Sequence, residues 1–141
     1  MLLKARSAVQ AASLLLVASS FIIVGVKHFT SPSFFEAIVP PYLPWPRSLV
    51  YWSGVCEVAG GIGIVIPKLR QTARWGLIAL LIAVFPANLH MAMNPDAFVD
   101  AGIPLWGLYL RLPLQAVLIA WVDWSGRPAS DTSTVVIAPA N

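Results

Sequence analysis

The sequence predicts an all-α integral membrane protein built as a four-helix bundle. Three observations carry that reading: charge is scarce, apolar stretches recur at membrane-crossing length, and most joints between them are short. Of 141 residues, 58% are hydrophobic and 11% charged, whereas a soluble domain averages about 25% charged. Mean hydropathy is +0.78, so an ordinary water-soluble globule is excluded. Four spans of about 20 residues use most of the length and leave no room for a second domain.

The first span covers residues 7–26, uncharged between Arg6 and Lys27. Apolar character continues past the small residues Ala18, Ser19 and Ser20, beyond the roughly 7 to 15 residues of a signal-peptide core, so a retained helix is expected. The second covers 48–67, bounded by Arg47 and Lys68 and broken by a single charge, Glu57. The joint KLRQTAR is too brief for anything but an antiparallel hairpin into the third span, 75–93. The fourth, 103–122, opens with Pro104, a residue suited to a first helical turn, and contains Arg111.

Between the first two spans runs KHFTSPSFFEAIVPPYLPWPR, with five prolines and five aromatic residues. Pro40, Pro41, Pro44 and Pro46 forbid a continuous helix, while residues 33–39 allow one or two turns. Phe34, Phe35, Tyr42 and Trp45 suit the headgroup level. An extracytoplasmic Pro- and aromatic-rich cap over the bundle is therefore expected. Residues 125–141 are small, polar and proline-containing, which predicts a disordered cytoplasmic tail.

Basic residues in short flanking segments orient a membrane protein. Lys4, Arg6, Lys68, Arg70, Arg74 and Arg127 lie on one side, against Lys27 and Arg47 on the other. The expectation is a multi-pass protein of a bacterial inner membrane with both termini cytoplasmic. The nine basic residues form no cluster or stripe that would read nucleic acid. One cysteine, Cys56, permits neither an internal disulfide nor a dithiol cycle, and small-residue packing is its expected role. Two histidines without a helical HExxH pattern give no metal site.

Ionisable residues inside spans cost roughly 2.5 to 3.5 kcal/mol each at mid-membrane, so Glu57 and Arg111 call for partners. A rise of about 1.5 Å per residue puts both roughly 12 to 13 Å below the outer surface, Asn88 about 9 Å, His90 about 6 Å and His28 near zero. The polar residues thus share the outer half, and the inner half is expected to be apolar. Ser53, Gly60 and Gly61 give Glu57 a small, polar face, and Gly107 and Gln115 do the same for Arg111. Pro86 and Pro113 free the carbonyls of Ile82 and Tyr109. The resulting expectation is an intramembrane Glu57–Arg111 ion pair, with Gln115, Asn88 and either His90 or His28 completing the hydrogen bonding. Simple helix-registration glue is the competing reading for the pair, a headgroup-level residue for His90, and an interfacial anchor for His28.

Several segments carry a resemblance: GVKHF (25–29), IVPPYLP (38–44), SGVCEVAGGIGIVIP (53–67), FPANLHMA (85–92) and RLPLQ (111–115). Together they resemble the small DoxX-like branch of the DoxX/DoxD-like bacterial membrane proteins, over about residues 20 to 122. That resemblance implies a four-helix fold with polar residues at His28, Glu57, Asn88, Arg111 and Gln115, and a link to respiratory redox chemistry. Three functions follow as expectations. The first is a membrane subunit that binds a quinone, with Arg111 and His28 on a carbonyl, Glu57 positioning Arg111 or relaying a proton, and Trp52 or Trp106 against the ring. It would act with a soluble or membrane redox partner subunit. The second is a non-catalytic assembly module, and the third a small-solute or proton transporter, which with four helices would need a homo-oligomer.

Overall fold

The structure, a computed structural model, describes residues 8–128. It is all-helical, and four of its helices are long and apolar enough to cross a membrane: α1 (Ala8–Thr30), α3 (Pro46–Val65), α4 (Arg70–Met93) and α6 (Leu105–Gly126). Two short helices, α2 (Pro32–Glu36) and α5 (Pro95–Val99), lie in the connections at one end, called the cap end. The opposite, terminal end holds the starts of α1 and α4 and the ends of α3 and α6.

Contacts run α1–α3, α3–α4, α4–α6 and α6–α1, so the spans form a ring in chain order. Short antiparallel joints explain three of these neighbours; the fourth closes the bundle. α3 and α6 stand on a diagonal. The apolar core is a plug of Leu14, Val17, Phe21, Ile64, Leu77, Ile78, Leu81 and Val122. A smaller cluster of Met91, Phe98 and Leu108, backed by Ile38 and Ile103, joins the cap to the bundle.

Proline sets several boundaries. Pro32, Pro46 and Pro95 each open a helix, where the missing N–H costs nothing. The segment NPDAFVDAG between α4 and α6 forms α5 because Pro95 and Asp96 suit a first turn and Phe98 buries its side chain. Pro104 is the residue before α6 rather than its first turn, with extended backbone at φ −65° and ψ 140°. α4 and α6 run through Pro86 and Pro113 without ending.

Three boundaries differ from the sequence expectation by four or five residues, the first being the start of α4 at Arg70 rather than 75. α1 continues to Thr30, because Lys27 and His28 are favoured by the helix dipole in a last turn. His28 therefore stands in the wall of the bundle, 7% exposed, and is not an exposed interfacial anchor. α6 runs to Gly126 with Ser125 fully buried, so the bundle ends later than residue 124. The rest of the expected tail, 129–141, lies outside the described residues.

The terminal half is not wholly apolar. Trp121 Nε1 donates to Ser13 Oγ at 2.7 Å, and Ser13 and Ser125 share a hydrogen bond of 2.8 Å. Arg74 pairs with Asp123 at 3.0 Å, and Gln10 and Gln71 donate to the Trp124 and Gly126 carbonyls. These groups clasp α1, α4 and α6 together. Single Ser, Gln and Trp residues near span ends carry no sequence signal of mutual contact, which is why the apolar expectation fails there.

Candidate functional site

The geometry of the site begins with two glycines. A Cβ placed on Gly25 would lie 2.9 Å from the Gly54 carbonyl oxygen and 3.0 Å from Glu57 Cβ; one on Gly54 would lie 2.8 Å from His28 Cβ and 2.9 Å from the Gly25 carbonyl oxygen. The backbones of α1 and α3 touch here, as small residues permit in membranes. Because the helices are antiparallel, His28 sits opposite Gly54 and Glu57 opposite Gly25. Each polar side chain fills the space that the other helix's missing side chain leaves.

The result is a His28–Glu57 contact, with Nδ1 3.3 Å from Oε2. Nδ1 also lies 2.9 Å from the Val24 carbonyl oxygen. A carbonyl only accepts, so Nδ1 carries a proton and donates it there. Glu57 Oε2 is left buried without a hydrogen-bond donor. The imidazole stacks on Phe35 of the cap, with centroids 3.8 Å apart and planes 20° from parallel. Phe35 meets Phe34 edge-on, and an Arg47–Glu36 ion pair of 2.6 Å ties α2 to the start of α3.

This pair faces a cavity of about 400 Å³ at the cap end of the bundle. Its polar lining is His28, Ser53, Glu57, Asn88, Arg111 and Gln115; Val24, Leu80, Leu81, Val84 and Leu118 form apolar walls, and Phe35, Ile38, Val39, Pro40 and Leu43 of the cap contribute the rest. The volume falls within the range of about 300 to 1,000 Å³ common for small-molecule pockets. Gln115 donates from Nε2 to the Leu81 carbonyl and accepts from Asn88 Nδ2, which locks α4 to α6. The carbonyl used is that of buried Leu81, one residue before the Ile82 carbonyl singled out from Pro86.

The expected Glu57–Arg111 ion pair does not form. Glu57 meets His28, and Arg111 reaches only Met91, its Nη1 3.8 Å from the thioether sulfur. Both residues border the same cavity, but α3 and α6 are diagonal, so the two side chains approach it from opposite corners. Arg111 has no carboxylate partner among the described residues, and thioether sulfur is a weak acceptor.

Other expectations divide similarly. His28, Glu57, Asn88, Arg111 and Gln115 all border the cavity; His90 does not. Its Nδ1 lies 3.1 Å from Asn94 Nδ2, and its ring meets Phe98 edge-on. Trp52 and Trp106, the expected ring contacts, are 66% and 69% exposed and border no part of the cavity. Helical spacing turns both outward to the lipid-facing surface, where an aromatic ring is well accommodated. Cys56 is also exposed, so it is not a packing residue.

Sequence reading missed the Gly25–Gly54 crossing and the Phe35 stack. A signal for the crossing was present: glycine precedes His28 and Glu57 by three residues each, on spans joined by one hairpin-like connection.

The model of a family described as a domain of unknown function, DUF8561, matches residues 17–125, from the second half of α1 through α6. The chain belongs to that family. The DUF8561 match contains the glycine crossing and every polar residue of the cavity. Comparison with curated proteins and with solved structures returns no match.

Proposed function

We propose that this DUF8561 protein binds a quinone-like ligand in its cap-end cavity and serves as the membrane subunit of a redox or quinone-linked system. The observation that carries the reading is that one cavity is bordered both by an arginine with no acidic partner among the described residues and by a glutamate whose buried Oε2 lacks a donor. A ligand that fits must offer an acceptor to Arg111, a donor to Glu57 and a flat apolar body for the walls. A ring bearing two oxygens, with carbonyl and hydroxyl forms, has that chemistry.

In this reading Arg111 donates to one ring oxygen and the Glu57 carboxylate accepts from a hydroxyl on the other. His28 is a positioning residue, held by Val24 and Phe35 so that it steadies Glu57. Asn88 and Gln115 fix the α4–α6 wall. The redox setting is supported by the resemblance to DoxX-like proteins, and electrons would come from a soluble or membrane redox partner subunit. The basic joints 68–74 favour the terminal end on the cytoplasmic side, which puts the cavity toward the outer leaflet of a bacterial inner membrane.

The test is photolabelling with an azido-quinone in membranes. Labelling of α4 and α6 peptides that line the cavity, displaced by unlabelled quinone and lost in Arg111→Gln, is the expected result. Uniform labelling of the lipid-facing surface without displacement would dispose of the reading.

A further inference from the structure

A second concavity lies at the terminal end, away from the cap-end cavity. α1 and α3 touch at Gly25–Gly54 and again where Gly61 meets Ala18 and Ile22. Beyond that crossing α3 stops at Val65, and Ile66 turns to extended backbone, with φ −83° and ψ 117°. The helices part and leave a groove of about 420 Å³ lined by Ala11, Leu14, Leu15, Val65, Ile66 and Arg70. Arg70 is the charged group on its border. Its Nε and Nη2 donate to the Ile64 and Val65 carbonyls at 3.0 and 3.3 Å, which fixes the guanidinium over the end of α3.

Charge at this end is unbalanced. Lys68, Arg70, Arg74 and Arg127 stand against a single described carboxylate, Asp123, which Arg74 and Arg127 already engage at 3.0 and 2.5 Å. Lys68 and Arg70 have no acidic partner among the described residues. Leu15 and Ile66 are exposed on the membrane-spanning surface, so hydrocarbon is what meets the groove, while Arg70 stands on its border and Lys68 directly follows its lining residue Pro67 in sequence.

We propose that this groove is a site for one anionic phospholipid, an acyl chain lying between Leu15 and Ile66 and the phosphate held by Arg70 and Lys68. The occupant needs both parts: an apolar tail for the lining and a negative head for the cations. The site stands independently of any ligand in the cap-end cavity.

The test uses the full chain in a zwitterionic detergent, with native mass spectrometry to compare phosphatidylglycerol and phosphatidylcholine of the same acyl chains. A basic residue near a membrane surface favours an anionic lipid by about fivefold. Phosphatidylglycerol should therefore be retained at least about fivefold better, and Lys68→Gln should remove about that factor. Lys68 makes no helix-capping bond, so this variant informs even where Arg70→Gln disturbs the end of α3. Leu15→Trp, which covers the groove, should abolish retention while every cation remains. Equal retention of the two lipids, competition by glycerol phosphate as strong as by the intact lipid, or unchanged retention in Leu15→Trp would each overturn the proposal.

Discussion

The two ends of the bundle both carry polar residues, yet they handle charge in opposite ways. At the terminal end Arg74 and Asp123 meet directly, and Ser13, Ser125 and Trp121 satisfy one another, although Arg74 Nε is buried without an acceptor. At the cap end Glu57 and Arg111 face a cavity without meeting, and each keeps unmet hydrogen-bonding capacity. A cluster in which opposite charges meet serves stability. An unmatched, open one costs stability and is the ordinary mark of a binding site in a membrane.

That contrast is most sharply broken at Asp123. Asp123→Asn leaves Arg74 without its acid; removing one member of a fully buried pair costs about 3 to 5 kcal/mol, so a loss of up to about 3 kcal/mol is expected for this partly buried one. Thermal unfolding in detergent should show the largest loss of this series. Next is Gly54→Ala, whose added methyl meets the Gly25 carbonyl; overpacking of this kind costs about 1 to 3 kcal/mol. It should also separate His28 from Glu57, which a shift of the His28 ring resonances by NMR would report.

Gln115→Leu removes both hydrogen bonds that join α4 to α6. Interhelical hydrogen bonds in membranes average about 0.6 kcal/mol each, so a loss near 1 kcal/mol is expected in the same unfolding measurement. Arg111→Gln should have the smallest effect on stability: no measurable loss, or a gain, because it removes a charge that has no acidic partner. Its effect belongs to ligand retention. A stability loss as large as that of Asp123→Asn would erase the distinction between the two ends.

Much of the fold is legible in the sequence because hydrocarbon imposes a simple rule: a span must be apolar, helical and about 20 residues long. The cap is legible for a related reason, since prolines 40 to 46 cannot continue a helix. That Glu57 and Arg111 belong to one site is legible too, and both border the cavity. Partner choice is not. Gly25 and Gly54 look like any other small residues until two helices are known to cross there, and His28 looks interfacial until α1 is seen to continue past it. His90, Trp52 and Trp106 were grouped with the site by residue type and level, whereas helical phase turns each away from the cavity.

The sequence by itself determined four spans, the level of their polar residues and the chemistry of the cap, because these depend on local composition and on the fixed rise of a helix. Tertiary structure alone decided which polar groups meet. Whether an acid and a base at one depth form a pair or border a cavity depends on ring order and rotation about each helix axis. Those are fixed by packing between residues far apart in the chain, here by a backbone contact between two glycines.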